Sequence, residues 1–258
     1  MQARLAAAMR KVGARILDCR NKGITDGNWE GTQFKAAADL IADECLRMEL
    51  RSLSDVPIVS EEDLQSQSAN RPSEYWLVDP IDGTASFAGG FDGFVTQAAF
   101  IKDGQPCLAA VYAPALDRLY LAERGRGASA NGRPIHVKPA DAKKLTLVDN
   151  YPEPRGIAKR LFEELDCARY LESGSIGLKI CLVAAGDADI FVKNVVLRDW
   201  DVAGPHLVLH EAGGSFAQFE GGRFEYAGGY EKLGLIATST ASLLERVLTV
   251  LSAKETSL

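Results

Sequence analysis

The first fifty or so residues contain two stretches in which hydrophobic residues recur every three or four positions. This spacing places them on one face of a helix, and it predicts two amphipathic helices that pack on a core. The first helix covers the N-terminal stretch, and the second runs from about residue 33 to residue 53. The predicted buried faces consist of Leu5, Met9, Val12 and Ile16 in the first helix and of Phe34, Ile41 and Met48 in the second.

From Phe94 onward, hydrophobic and polar residues alternate, which is typical of strands with one buried face. Turn-forming pairs such as Asp103-Gly104 and Asn131-Gly132 separate these runs, so the pattern predicts an antiparallel meander. The predicted strands are residues 94–101, 107–112, 119–122 and 135–137. The polar stretch 65–73 has no period and is predicted to be a surface loop.

After about residue 142 short hydrophobic runs alternate with longer helical patterns. The predicted strands are residues 145–149, 169–171, 190–192, 215–219 and 233–238, and the predicted helices are residues 156–165, 176–185, 202–212 and 243–251. Such alternation indicates an α/β arrangement. We therefore place a soft boundary near residue 142, between an N-terminal α+β half (residues 1–142) and a C-terminal α/β half (residues 143–258).

Composition and charge narrow the choice of partner. With 258 residues, 47% of them hydrophobic and 25% charged, the chain has the composition of an ordinary globular protein. Its net charge of -6 gives no general attraction to nucleic acid or to an anionic membrane, and no hydrophobic run approaches the roughly 18 residues of a membrane span. We expect a small anionic substrate, no nucleic acid polymer and no membrane as partners. Whether the chain forms a homodimer stays open.

Cysteine usage favours a cytoplasmic location. The five cysteines are scattered, odd in number and without a C-x-x-C pair, so they are interpreted as buried free thiols in a reducing compartment. The first twenty residues carry five basic side chains and one acidic one, which is also a feature of transit peptides. The helical spacing of their hydrophobic residues favours a core helix instead.

Candidate chemistry is concentrated at Asp79 and Asp82. The residues before them form a short β-prone run, and Pro80 favours extended geometry, so the strand is predicted to end where the acids begin and to place them on a turn. From a turn, both carboxylates and the carbonyl of Ile81 can point to one side, and oxygen ligands of this kind suit Mg²⁺. The alternative is that Asp, Pro and Gly serve only as turn formers here.

Two more acidic clusters could complete a two-metal site. They are Glu61-Glu62-Asp63 and Asp199-Trp200-Asp201. Because proline is poorly tolerated beyond the first turn of a helix, Pro205 predicts that the helix begins no earlier than about Asp201. Asp201 is then either a metal ligand or an N-cap, and the two roles are compatible.

A zinc site on the same helix is the less favoured interpretation. His206 and His210 are four residues apart, but His206 lies five residues past Asp201, about 140° around the helix at roughly 100° per residue. It should therefore face away from the acid. A packed or surface pair of histidines is favoured.

Several separated motifs occur in an order that resembles the inositol monophosphatase superfamily. They are Ser60-Glu61-Glu62, Trp76-Leu77-Val78-Asp79-Pro80-Ile81-Asp82-Gly83-Thr84, and Trp200-Asp201-Val202-Ala203-Gly204 followed by Glu211-Ala212-Gly213-Gly214. The resemblance covers nearly the whole chain. It implies a Mg²⁺-dependent, lithium-sensitive phosphomonoesterase with a layered α-β-α-β-α sandwich of the sugar-phosphatase type, α+β in its first half and α/β in its second, and with the metals between the halves.

The resemblance also assigns roles to residues. It implies that one Mg²⁺ is bound by Glu61, Asp79 and the Ile81 carbonyl, and a second by Asp79, Asp82 and Asp201, with two or three ions per site. Contacts with the substrate are implied for Asp82, Gly83, Thr84, Ser175, Lys179 and Asp201.

Asp39 and Thr84 are implied to activate water together, with Glu62 as a nearby acid. The family has a Thr three residues before this Asp, where this chain has Ala36. That departure leaves the local hydrogen bonding open. Alternatively, Asp39 is only a favourable charge in the first turn of a helix.

The substrate is less well defined by the sequence. Asn194 stands where inositol phosphatases have an acidic residue, whereas the segment 174–181 and Ser60 resemble the 3'(2'),5'-bisphosphate nucleotidase branch, in which the residue matching Lys179 reaches a second phosphate. Adenosine 3',5'-bisphosphate is therefore the favoured substrate. Inositol 1-phosphate, another sugar or cyclitol phosphate, or a catalytically inactive relative that only binds such metabolites are the alternatives.

Overall fold

The computed structural model describes residues 1–30, 33–139 and 144–253, with the side chains of residues 28–36 outside the description. In these ranges the helices are α1 Gln2–Asn21, α2 Ala37–Arg51, α3 Thr84–Ala88, α4 Gly156–Glu164, α5 Ile176–Ala184, α6 Asp199–Glu211 and α7 Ala241–Ser252. The strands are β1 Gly27–Glu30, β2 Gln33–Ala36, β3 Ile58–Ser60, β4 Glu74–Asp82, β5 Val95–Lys102, β6 Gln105–Ala113, β7 Arg118–Glu123, β8 Ala128–Ala130, β9 Arg133–Ile135, β10 Thr146–Asp149, β11 Arg169–Glu172, β12 Ile190–Arg198, β13 Ser215–Gln218 and β14 Glu231–Thr238.

Two sheets organise these elements, and β1 and β2 form a separate hairpin. The larger sheet has the order β3-β4-β5-β6-β7-β8-β9, in which β3 is parallel to β4 and the later neighbours are antiparallel. The predicted meander is therefore confirmed. The smaller sheet has the order β11-β10-β12-β14-β13 and mixes parallel with antiparallel pairs.

The helices form three layers around the sheets. Helices α1 and α2 pack on the outer face of the larger sheet, and α4 and α7 pack on the outer face of the smaller one. Helices α5 and α6 lie between the sheets, and their hydrophobic side chains merge with both inner faces in one core. This arrangement is the predicted α-β-α-β-α sandwich. The boundary predicted near residue 142 lies outside the described residues.

The second helix differs from its prediction. It begins at Ala37, because residues 33–36 pair with β1 instead of extending the helix. Its buried hydrophobic residues are Ala38, Ala42, Leu46 and Leu50, spaced by four, whereas Met48 is 62% exposed and Ile41 is only half-buried. The small alanines let α2 pack closely against α1 and β4. The side chain of Phe34 lies outside the described residues.

Two further boundaries also differ. Strand β12 continues past Val192 to Arg198 through an irregularity between Lys193 and Val196. Helix α6 begins at Asp199, two residues before the predicted limit, with Pro205 inside it. Within the described ranges, none of the helices has the length and the apolar character that crossing a membrane would require.

Candidate metal and phosphate site

The pairing of β3 with β4 brings the first two acids together. Ser60 lies opposite Val78 in this parallel pair, so the next residues of the two strands, Glu61 and Asp79, lie side by side. The backbone N–H of Glu61 donates to the Val78 carbonyl at 3.3 Å. Two clusters that are far apart in the sequence are thus joined by strand register.

The acids of β4 lie inside the strand, whereas the sequence predicted that they would follow it. Strand β4 does not end before Asp79 but continues to Asp82, with a register shift against β5 between these two residues. Because Pro80 has no N–H to give, an irregular pairing here costs no donor. The acids therefore lie on a bulged strand end and not on a free turn.

Helix α6 supplies Asp201 from the layer between the sheets. One carboxylate oxygen accepts the Arg198 N–H at 2.7 Å, which caps the helix and leaves the other oxygen available. Pro205 cannot donate to the Asp201 carbonyl one turn earlier, and the Gln97 amide donates to it instead at 3.2 Å. This substitute bond explains how a proline is accommodated inside the helix.

Glu61, Asp79 and Asp201 form a compact carboxylate cluster, with one oxygen of each within 4.8 Å of the others. Asp79 Oδ1 is buried and has no hydrogen-bond partner among the described residues. Burial, and then the neighbouring carboxylates, raise the pKa of Glu61 and of Asp79 well above the usual range, and burial and Asp82 raise the pKa of Asp201 to about 7. A partly buried cluster of hard oxygen donors that repel one another fits a divalent cation such as Mg²⁺.

Asp82 connects this cluster to the N-terminus of α5. Its Oδ2 accepts the Gly177 N–H at 2.6 Å, and burial still raises its pKa. Ser175 caps the helix, and its own N–H donates to the Gly93 carbonyl at 2.6 Å. At Gly174 a Cβ atom would lie 2.2 Å from that same carbonyl oxygen, so the backbones of the two segments are in direct contact.

Gly83 and Thr84 follow β4. Gly83 has a φ of 88°, in the left-handed region that favours glycine, and a Cβ there would lie 3.0 Å from the Ser175 side chain. The Thr84 hydroxyl lies 3.1 Å from Asp39 Oδ1 and 2.9 Å from the Ile81 carbonyl oxygen. Asp39 is buried in the first turn of α2, so the predicted pairing of Asp39 with Thr84 is present. The side chain of Ala36 lies outside the described residues.

Several contacts around the site were not predicted. Ser60 Oγ donates to Asp43 at 2.6 Å and accepts the Glu62 N–H at 3.2 Å, so α2 helps to place the acidic loop. The Gln97 amide group also lies 3.5 Å from Asp79 Oδ2. The polar pair Thr96-Gln97 in the mostly hydrophobic strand β5 is the sequence feature that could have indicated a role for Gln97. No signal in the sequence pointed to Asp43.

Lys179 is fully buried below the turn that precedes α5. Its ammonium group donates to the Gly174 carbonyl at 2.6 Å and to the Asn150 side chain, and it faces the Phe191 ring. Burial, and then the nearby Lys193, lower its pKa to about 7. Lys193 also donates to Asn150, at 3.2 Å, and its side chain is 22% exposed. The role of Lys179 in substrate binding stays a prediction.

The two histidines of α6 lie in different environments. His206 packs on Phe216 with ring centroids 4.5 Å apart and shares a hydrogen bond with Tyr226, and burial lowers its pKa to about 3. His210 is exposed on the surface. The predicted packed or surface placement is therefore confirmed. All five cysteines are free thiols, and Cys19, Cys167 and Cys181 are buried.

Comparison with known proteins agrees with this geometry. The sequence model of the inositol monophosphatase family matches residues 2–255. The 3'(2'),5'-bisphosphate nucleotidase CysQ of Buchnera aphidicola is 32% identical over 193 residues, which are 73% of this chain and 72% of that protein. Inositol monophosphatase 1 of Bos taurus is 33% identical over 181 residues, 67% of this chain and 64% of that protein. The solved structure of a Thermotoga maritima IMPase superposes with a TM-score of 0.80 at 25% identity and covers 95% of this chain and 94% of its own.

Proposed function

Because the chain belongs to the inositol monophosphatase family, and is therefore a phosphatase of phosphate monoesters, we propose that it is a Mg²⁺-dependent enzyme whose substrate is a 3'(2'),5'-bisphosphorylated nucleotide such as adenosine 3',5'-bisphosphate. The observation that carries the metal assignment is the cluster of Glu61, Asp79 and Asp201, in which Asp79 is buried and the other two are partly buried. A set of mutually repelling buried carboxylates costs stability unless a cation neutralises them, so it argues against a relative that only binds metabolites.

The proposed metal ligands are Glu61, Asp79, the Ile81 carbonyl, Asp82 and Asp201. Divalent cations bound there would supply charge neutralisation for the phosphate and activation of the attacking water. In the proposal a proton of that water moves to Thr84 Oγ1 while the hydroxyl proton of Thr84 moves to Asp39 Oδ1, a transfer that their 3.1 Å separation allows. Glu62 is a nearby acid, and the backbone N–H groups of Gly83 and Thr84 are proposed to hold the phosphate.

We expect phosphate release to depend strictly on Mg²⁺ or Mn²⁺. The proposed ligands are all oxygen atoms, and neither histidine nor cysteine is among them, so hard cations should be preferred over Zn²⁺. Phosphate release from adenosine 3',5'-bisphosphate should stop with EDTA and return with excess Mg²⁺. Activity that persists after dialysis against EDTA would contradict the metal assignment. Inhibition by millimolar LiCl is also part of the proposal.

The similarity to CysQ, the segment 174–181 and Asn194 in place of an acid favour a substrate with a second anionic group. The ammonium groups of Lys179 and Lys193 meet at Asn150, directly behind Gly174 and close to Asp82. A distal phosphate bound there would favour the charged form of Lys179, whose pKa is lowered to about 7, and would share Lys193 with Asp149. Lys193 is the partly exposed member of the pair, at 22%, and its ammonium group lies 3.1 Å from the buried Asp149 carboxylate, whereas Lys179 is covered by the Gly174 turn.

We therefore expect Lys179→Ala and Lys193→Ala to reduce kcat/KM for adenosine 3',5'-bisphosphate much more than kcat/KM for inositol 1-phosphate. Loss of a direct charged contact, as expected for Lys193→Ala, costs roughly 2 kcal/mol, or about thirty-fold. Lys179→Ala should act indirectly, through the Gly174 turn and Asn150 that its ammonium group holds. The parent should prefer the bisphosphate. Lys159→Ala, on the exposed face of α4, is the matched control. Equal losses on both substrates, or a parent that prefers inositol 1-phosphate, would favour an inositol, sugar or cyclitol phosphate as the natural substrate.

A further inference from the structure

Arg71 lies in the segment between β3 and β4, and its side chain is only 7% exposed. It donates to the carbonyl oxygens of Gly228 at 3.1 Å and Gly229 at 3.0 Å and to the Tyr75 hydroxyl at 3.2 Å. Its planar face lies 3.9 Å from the centre of the Tyr230 ring. These contacts join residues from the two halves of the sequence, and the proposed reaction does not require them.

Arg71 forms an ion pair with Asp199, which is fully buried. Arg71 Nη2 lies 2.6 Å from Asp199 Oδ2, and Lys232 lies 3.4 Å from the other carboxylate oxygen. Asp199 is the first residue of α6, and its N–H donates to the Tyr230 carbonyl at 3.0 Å. Because Asp201 follows two residues later, any displacement of Asp199 moves a proposed metal ligand.

On its other side, the segment of Arg71 is tied to Glu61. The Tyr230 hydroxyl donates to the Ser68 carbonyl at 3.1 Å, and the Gln67 amide donates to the Glu61 carbonyl at 3.1 Å. Arg71 therefore completes a continuous connection from the loop that carries Glu61 to the start of the helix that carries Asp201.

We propose that Arg71, through Asp199, is a positioning residue that holds Glu61 and Asp201 at metal-binding distance against their mutual repulsion. The inference rests on the proposed metal-dependent function. A buried ion pair adds little net stability, but it can fix one arrangement of the elements that it joins. The planar guanidinium group has five N–H donors and can serve a carboxylate and two carbonyls together, which a lysine ammonium cannot do in this geometry.

The test measures Mn²⁺ binding directly, by electron paramagnetic resonance on the purified full chain without substrate. The variants are Arg71→Lys, Arg71→Met and the double variant Arg71→Met/Asp199→Leu, which removes both buried charges. Arg160→Met is the matched control, because Arg160 is 19% exposed and binds Glu164 and the Val250 carbonyl between α4 and α7.

We expect each Arg71 variant to bind Mn²⁺ at least ten-fold more weakly than the parent and to need correspondingly more Mg²⁺ for half-maximal activity, with a smaller change in kcat at saturating Mg²⁺. The double variant should regain thermal stability relative to Arg71→Met without regaining Mn²⁺ affinity, and Arg160→Met should bind Mn²⁺ as the parent does. If Arg71→Met does not fold, Arg71→Lys and the double variant carry the test.

Mn²⁺ affinity within two-fold of the parent in the folded variants would overturn the positioning role and leave the proposed function intact. A double variant that regains Mn²⁺ affinity together with thermal stability would also overturn the positioning role. The weak binding of Arg71→Met would then be a consequence of its lower stability. A parent chain that binds no Mn²⁺ would instead overturn the proposed metal centre, and the role of Arg71 with it.

Discussion

Replacing Asp79 by Asn is expected to lower kcat/KM by about a thousand-fold or more. Asp79 lies at the centre of the carboxylate cluster, is buried, and is the residue proposed to contact both cations. Metal ions supply several kcal/mol of charge stabilisation in such reactions, and each 1.36 kcal/mol corresponds to a factor of ten in rate. Steady-state phosphate release at saturating Mg²⁺ measures the loss. Turnover within a few-fold of the parent would show that the metal assignment is wrong.

The same variant should be more stable than the parent when EDTA is present at pH 8. The folded-state pKa values of Glu61, Asp79 and Asp201 are raised above their unfolded values, so these groups favour the folded state below about pH 4 and lose that contribution as pH rises through the folded pKa, about 7 for Asp201. An asparagine side chain in place of Asp79 carries no charge to repel Glu61 and Asp201. Thermal unfolding at pH 5 and pH 8 tests this, with the exposed Asp166→Asn as the control. A lower Tm for Asp79→Asn than for the parent at pH 8 would contradict the repulsion argument.

Thr84→Ala and Asp39→Asn should each lower kcat by a similar factor, about a hundred-fold or more, and the double variant should be little worse than either single variant. The two side chains are proposed to handle one proton together, and groups that act as a unit give strongly non-additive losses. Single-turnover rates at saturating substrate and Mg²⁺ isolate the chemical step from product release.

Thr84→Ser is the matched control for this pair, because it keeps the hydroxyl and removes only a methyl group. It should retain most of the parent kcat. Losses that multiply in the double variant, or a serine variant as slow as the alanine variant, would show that the two residues do not act together.

The order of the acidic motifs was enough to predict the layered sandwich and the residues that meet in the site. The pairing of Asp39 with Thr84 and the convergence of Glu61, Asp79 and Asp201 were both expected, and both are present. These expectations came from the family resemblance of the motifs, and the register of β3 with β4 together with the first turn of α6 brings the acids together.

Other features depend on contacts that are distant in sequence and so could not be predicted. Pro205 argued for a later start of α6, but the amide of Gln97, more than a hundred residues away, binds the carbonyl that the proline leaves free. Likewise, Met48 fits a helical stripe, yet the face that packs is the one with Ala38 and Ala42, because α1 lies close to it. Which of two plausible faces is buried depends on the neighbour, and the period alone does not specify it.

The direct contact between Gly93 and Gly174 restricts which substitutions this enzyme can accept. A methyl group at either position would meet the opposite backbone at 2.5 Å or less, so any other residue there would wedge the two halves apart and displace the α5 amide that binds Asp82. Larger side chains at Gly93 and Gly174 are therefore excluded by the opposite backbone. Asn194, Val195 and Val196 of β12 are exposed by contrast, so a larger side chain meets less steric resistance there.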